Sequence, residues 1–288
     1  MRRQNMSKVL HETYKRNYTI SHVEQQKPND MSHAHIHKEY ELYYLIKGER
    51  YYFIEDAIYL ITPGTLVLIN SGTVHRTASV RPDTSHERLL LIFNGDFIQS
   101  ALSKLGIPAL SDLFRTPVIQ LAPADQEILR KLFHDIMTEQ TLKQVNYSGA
   151  IKLKILELLL LISRQNSFPT SSIASAGLIS EKHKKVNEAI FYIKDHLIEP
   201  LSLQSIADSV YVSRGYLSNI FNETTGMKLT DYINIQRINY AKTLLYSSDA
   251  NITDIAQSCG FESITYFERI FKQLTGITPL KFRQMQKA

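Results

Sequence analysis

The sequence predicts an α+β protein in two parts: an antiparallel β-barrel or sandwich trailed by helices, then an all-helical C-terminal third. Three observations predict it. Between about residues 32 and 94 the chain breaks into short runs rich in aromatic and β-branched residues, with no helical stretch between them. From Pro123 the apolar residues fall instead at spacings of three and four. In the C-terminal third, two segments starting at Ser213 and Ser263 repeat one another at an offset of fifty residues.

The predicted strands are "YELYYLI", "RYYFIED", "AIYLI", "TLVLIN" and "RLLLIFN", with turns at Pro63–Gly64 and Ser71–Gly72. A helix opening at Pro123 places Ile128, Leu132, Phe133, Ile136 and Met137 on one stripe. A second helix, about 147–165, carries Ile151, Ile155, Leu158, Leu159 and Ile162. Its additional Leu156, Leu160 and Leu161 make it apolar over more than one contact face needs. It is either wedged between domains or part of a self-association surface, and pairing of two subunits is the expectation. Residues 166–184 are Ser- and Ala-rich, aperiodic, and read as a linker. The expected organisation is therefore a sensing barrel over 1–120, dimerisation helices over 121–165, the linker, and a helical domain over 185–288.

The 288 residues suggest two domains. The N-terminus has basic residues but no apolar core, so no signal peptide is expected. The longest apolar run, Ile155 to Ile162, is far shorter than the roughly 20 residues a membrane helix needs. The single cysteine, Cys259, excludes an internal disulfide framework and fits a reducing cytoplasm. A formal net charge of +5 permits nucleic acid as a partner without requiring it.

Aligned, "SRGYLSNIFNETTG" and "SITYFERIFKQLTG" share Ser, Tyr216/Tyr266, Ile220/Ile270, Phe221/Phe271, Thr225/Thr275 and Gly226/Gly276. Each follows a short helical segment with an Ile–Ala pair, Ile206–Ala207 and Ile255–Ala256. The small alanine allows a second helix to cross closely, and Ser213 and Ser263 stand where an N-cap is wanted. Short helix, tight turn and a second helix with one apolar face describe a helix-turn-helix, here in two copies joined by a long helical pattern.

With Arg237, Ala241, Gly260–Phe261, Pro279 and Phe282–Arg283 added, this third resembles the DNA-binding domain of the AraC/XylS family of transcription regulators, over about residues 186–283. The resemblance implies that the two units enter successive major-groove segments on one face of double-stranded DNA. The expected DNA-facing residues are Arg214, Gly215, Ser218, Asn219 and Asn222 on the first recognition helix, and Ile264, Thr265, Glu268, Arg269 and Lys272 on the second. Asn219 can pair bidentately with adenine and Arg269 with guanine, while Glu268 could accept from cytosine or repel phosphate. From His183 onward 12 Lys and Arg stand against 10 Asp and Glu, a slight basic excess, so doubling by dimerisation would matter to affinity.

The remaining motif is "HIHKEYELYYLIKG", His35 to Gly48. On a strand, His35 and His37 would share a face, with Glu41 close behind. His-x-His, Glu41 and Gly48, followed by Gly64, Gly72 and His75, resemble the two motifs of cupin β-barrels over about residues 20–95. Asn70 replaces the usual Pro, and Ser79 the usual Asn. The cupin resemblance implies that His35, His37, Glu41 and His75 could ligate a metal such as Mn, Fe, Ni or Zn. The same residues with Tyr43 and Tyr52 could instead line a small-molecule pocket, or simply brace the barrel mouth. His33 reads as a loop residue. The downstream DNA-binding pattern favours the pocket, because nothing there needs catalysis upstream.

The expected protein is a cytoplasmic homodimer that regulates transcription under control of a small molecule, with a sugar as the expected class. It is expected to have no enzymatic activity and no cofactor. The resemblance favours activation, and so contact with RNA polymerase. The competing readings are a metal-dependent cupin enzyme carrying a DNA-binding module, and a ligand-independent DNA-binding dimer.

Overall fold

The computed structural model describes residues 7–26, 30–81, 84–166 and 180–287, and divides into two compact units, Met1–Ile179 and Ser180–Ala288. In the first unit the strands are β1 (Ser7–Tyr14), β2 (Tyr18–Gln25), β3 (Tyr40–Lys47), β4 (Arg50–Ile54), β5 (Ala57–Ile61), β6 (Thr65–Ile69), β7 (His75–Ser79), β8 (His86–Phe93) and β9 (Val118–Gln120). Its helices are α1 (Gly95–Lys104), α2 (Leu110–Leu113), α3 (Pro123–Leu142) and α4 (Tyr147–Asn166).

All strand pairings are antiparallel. They make a six-stranded sheet in the order β1-β2-β8-β3-β6-β9 and a three-stranded sheet β5-β4-β7. β3 sits inside the large sheet and is buried on both faces. Leu42 and Tyr44 join a core shared with Leu129, Phe133, Ile155 and Leu159 of α3 and α4. Tyr43 and Leu45 instead pack with Tyr52, Ile54, Val67 and Ile69. Alternate residues thus belong to two different cores, which is why "YELYYLI" shows no apolar–polar alternation. Gly48, at φ 87°, makes the turn into β4, where a Cβ would lie 2.4 Å from the Ser85 carbonyl oxygen. That leaves glycine as the residue that fits this motif position.

Four expectations are corrected here. β1 and β2 precede the expected start of β structure, and β7 was not foreseen, because their polar residues mask the strand pattern. On α3 the buried face is Leu129, Leu132, Phe133, Ile136 and Gln140, and Ile128 is 44% exposed. The extra leucines of α4 do not form one free face: Leu156 and Leu161 lie in the core shared with the sheet, while Leu160 and Leu153 face outward. Most of the expected linker lies outside the described residues, but its end does not, because Glu181 already begins a helix.

The second unit holds α5 (Glu181–Asp195), α6 (Leu203–Ser209), α7 (Arg214–Thr225), α8 (Leu229–Ser247), α9 (Ile252–Ser258), α10 (Ile264–Thr275) and α11 (Pro279–Lys287). α6–α7 and α9–α10 are the two helix-turn-helix units. The caps follow the repeat: Ser213 Oγ accepts from the Tyr216 amide at 3.2 Å, and Ser263 Oγ from the Tyr266 amide at 3.3 Å. At the far ends, Thr225 Oγ1 donates to the Phe221 carbonyl at 2.7 Å and Thr275 Oγ1 to the Phe271 carbonyl at 2.8 Å.

α8 belongs to both units. The Tyr232 ring packs edge-on against Phe221 of α7 at 5.5 Å, whereas Ile238, Ala241 and Leu245 enter the core formed with Ile255, Ala256, Phe267, Ile270 and Phe271. Midway, Arg237 donates from Nε to the Leu197 carbonyl and from Nη2 to the Glu199 carbonyl, with its guanidinium over the Phe261 ring. One side chain thus ties the chain ahead of the first unit to the turn of the second.

Candidate ligand cavity and nucleic-acid interface

A cavity of about 230 Å³ opens against the inner face of the large sheet. Alternation along the strands selects its walls: Glu41 and Tyr43 from β3, Arg50 from β4, His75 and Thr77 from β7, and His86, Arg88, Leu90 and Ile92 from β8. Gln25 and the segment carrying Asp30, Met31, His35 and His37 complete it. That segment is not the strand the sequence suggested. His35 makes a single antiparallel bridge with His75, its amide donating to the His75 carbonyl at 2.8 Å and its carbonyl accepting from the His75 amide at 3.0 Å, and β3 begins only at Tyr40. His33 lies in an exposed bend outside the cavity.

Of the six residues expected at the ligand, five line this cavity. Tyr52 does not. It is fully buried behind Glu41, and its hydroxyl donates to Glu41 Oε1 at 2.9 Å. His37 and His75 approach the other carboxylate oxygen, with their Nε2 atoms 3.3 and 3.7 Å from Oε2. The Nδ1 of each faces a backbone carbonyl at 3.0 Å, Glu39 for His37 and Thr73 for His75. Both rings are therefore held with Nε2 turned toward Glu41.

Burial pushes the Glu41 carboxyl up, but the His37 hydrogen bond, the His75 charge and the Tyr52 hydroxyl outweigh it and hold Glu41 ionised. The Glu41 hydrogen bond raises the pKa of His37, whereas burial lowers that of His75. Glu41 therefore faces one imidazole made easier to protonate, His37, and one made harder, His75. His37, Glu41 and His75 have ligand atoms within 4.8 Å of one another and could hold a divalent transition metal. His35, the fourth expected ligand, lies outside that group.

Sequence reasoning missed the charged wall. Arg50 is 1% exposed; its Nε donates to Thr77 Oγ1 and its Nη1 to Ser79 Oγ, both at 3.0 Å, and Asp30 lies 3.6 Å away. Arg88 lies over the Tyr43 ring at 5.6 Å. His86 is buried beside Arg50, and burial, then the charges of Arg50 and Arg88, push its pKa down to about 3, so it is neutral. The available signal was the i, i+2 pairs Arg50/Tyr52 and His86/Arg88, which share strand faces with buried residues.

In the second unit, all nine residues expected at DNA in addition to Ile264 are solvent-exposed: Arg214, Gly215, Ser218, Asn219 and Asn222 on α7, and Thr265, Glu268, Arg269 and Lys272 on α10. The buried faces of the same helices hold Leu217, Ile220 and Phe221, and Phe267, Ile270 and Phe271. Ile264 is instead half-buried against the second core. Arg269 stacks over Tyr266, 5.0 Å from the ring centre, and Asn234 Nδ2 donates to the Tyr266 hydroxyl at 2.8 Å. Tyr266 thereby orients the base-reading candidate on its own helix.

Residues 17–159 match the model of an AraC-like ligand binding domain, and residues 206–285 that of a helix-turn-helix domain. The chain belongs to the AraC family of transcription regulators. Among its relatives, the regulatory protein PocR of Salmonella typhimurium is 37% identical over 100 residues, covering 35% of this chain and 33% of its own length. The arabinose operon regulatory protein of Escherichia coli is 33% identical over 138 residues, covering 48% of this chain and 45% of its own. A solved AraC-type DNA-binding domain protein from Chromobacterium violaceum aligns at 32% identity with a TM-score of 0.34, over 36% of this chain and 92% of that one. The chain thus spans less than half the length of these curated relatives. Among the described residues, no helix of this AraC family chain is long and apolar enough to cross a membrane.

Proposed function

We propose that this protein is a sequence-specific DNA-binding transcription regulator controlled by a small molecule in the N-terminal cavity. The observation that carries the reading is the pairing of two features on one chain. One is a pair of capped recognition helices whose outer faces carry exposed polar residues. The other is a cavity whose ionised groups sit in a shell of buried hydrogen bonds. Asn219 and Arg269 read base edges, and Lys272 and Arg214 supply phosphate contacts. Control requires the effector to bind one arrangement of cavity and DNA-binding unit more tightly than the other, since equal affinity shifts nothing.

Selection of DNA sites with the purified full chain, repeated with candidate effectors, tests this. One enriched motif whose occupancy changes with an effector is the expected result; enrichment of no motif overturns it. Subunit pairing through α3 and α4, with exposed Ile128, Leu153 and Leu160 as contacts, belongs to the same proposal, as does activation through RNA polymerase. Sedimentation of a Leu153→Glu variant tests the pairing. The His37–Glu41–His75 geometry favours one second reading, a metal-dependent enzyme. Stoichiometric metal in the purified protein, lost together with a turnover in a His37→Ala/His75→Ala variant, would establish it instead.

A further inference from the structure

We infer that Tyr266 and Asn234 are positioning residues for base reading: they hold Arg269 in the geometry that recognises a guanine, without touching that base themselves. The inference rests on Arg269 reading a base edge from α10. Arg269 is solvent-exposed, yet its guanidinium lies over the Tyr266 ring, 5.0 Å from the centre. Tyr266 is in turn fixed at two points. Its hydroxyl accepts from Asn234 Nδ2 at 2.8 Å, and its ring meets that of Phe261 at 6.1 Å between centres.

The contacts continue inward. Phe261 is buried and carries the Arg237 guanidinium 5.7 Å from its ring centre, while Arg237 itself is tied to the Leu197 and Glu199 carbonyls. Asn234 and Arg237 stand three residues apart on α8, so one face of that helix holds both the hydroxyl of Tyr266 and the ring behind it. Arg237, Phe261, Tyr266 and Arg269 thus run in series from the backbone ahead of α6 to the reading face of α10. The first unit is built otherwise. Tyr216 and Asn219 stand where Tyr266 and Arg269 do, but Val212 replaces Phe261, its amide bonding to the Ala207 carbonyl as that of Phe261 bonds to Ala256. Asn219 is the shorter side chain and has less freedom to lose.

Arginine has among the largest rotamer entropies of any side chain, and a bidentate contact to guanine O6 and N7 freezes it. Stacking on a ring that is itself fixed removes part of that freedom before DNA arrives, so less is lost on binding. The gain falls only on duplexes that offer O6 and N7 at this position. On any other base the fork has no such bidentate partner, and prior order in Arg269 returns nothing. Tyr266 and Asn234 thereby raise discrimination at one base pair rather than affinity at large.

The test uses the full chain and a duplex carrying its selected site, with each of the four bases placed in turn at the position that Arg269→Ala relaxes. Tyr266→Phe removes the hydroxyl and keeps the ring; Asn234→Ala removes the donor. Each should reduce the preference for guanine there by roughly three- to tenfold, the weight of one side chain freed to rotate. Preferences elsewhere in the site and the salt dependence of non-specific binding should not move. In an Arg269→Ala background neither substitution should have a further effect. Tyr266 is 40% exposed and Tyr266→Phe deletes one oxygen, so the result does not hang on Asn234→Ala folding. Equal losses at every position, or losses that persist without Arg269, would show a merely structural role and overturn the inference. A guanine preference that both substitutions leave unchanged overturns it as well. So does an Arg269→Ala variant that relaxes no position, although the enriched site, and with it the regulator reading, would then stand.

Discussion

Tyr211 holds φ at 57° in the turn of the first helix-turn-helix, where the second has Gly260 at φ 80°. A non-glycine residue in the left-handed region costs about 1–2 kcal/mol, and Tyr211 is 90% exposed, so packing returns little of it. Tyr211→Gly should therefore raise the stability of the C-terminal unit by up to about 1 kcal/mol after glycine's greater unfolded entropy is counted. Thermal melting of both proteins checks it. In the cavity, two histidines pull stability in opposite directions with pH. His86, depressed to about 3 from an ordinary 6.5, binds a proton in the unfolded chain that the folded chain refuses, so its contribution is lost as pH falls below 6.5. His37, raised by its Glu41 hydrogen bond, contributes fully below 6.5 and loses that contribution as pH climbs through its folded value. His86→Gln should flatten the acid limb of a stability–pH curve and leave the alkaline limb in place. His35, His37, Glu41 and His75 were legible in the sequence because their spacing is a motif. Arg50 and Arg88 were not, because a charged residue in a strand reads as solvent-facing until pairing shows which face is inside.

The recognition helices were the most legible elements. Their caps, apolar stripes and closing Thr–Gly pairs are local, and local chemistry survives in a single sequence. Removing the second cap, Ser263→Ala, should cost about 1 kcal/mol and fray the start of α10, beside Thr265. Hydrogen exchange of the first-turn amides of α10 reads that directly, with α7 as the unaltered control in the same molecule. The sheet was harder to read. β3 serves two cores, so its apolar residues are nearly continuous. The stripe of α3 was displaced by one position, Ile128 for Leu129, because several residues of that helix are apolar and only the packing partner chooses among them. His35 and His37 likewise left the strand pattern: the bridge to His75, rather than a ladder, positions them.

At the scale of the molecule, the change from β structure to a repeated helical pattern announced the two units, and the repeat pointed to what the second does. Arg237 could be matched to a family pattern, but its two bonds to the carbonyls of Leu197 and Glu199, 40 and 38 residues away, exist only in the fold. α8, sunk in the first helix-turn-helix at one end and the second at the other, has a metrical consequence. Its 19 residues measure about 28 Å, close to the roughly 34 Å of one turn of B-DNA. A single rigid rod with a reading head at each end is a calliper set to one opening. Operators for this protein should then be intolerant of altered phase: half a turn of extra duplex between the two boxes, about 5 base pairs, should abolish joint occupancy, and a full turn should not restore it. Footprinting on the two inserted operators measures it; protection of both boxes with either insert would mean that α8 bends.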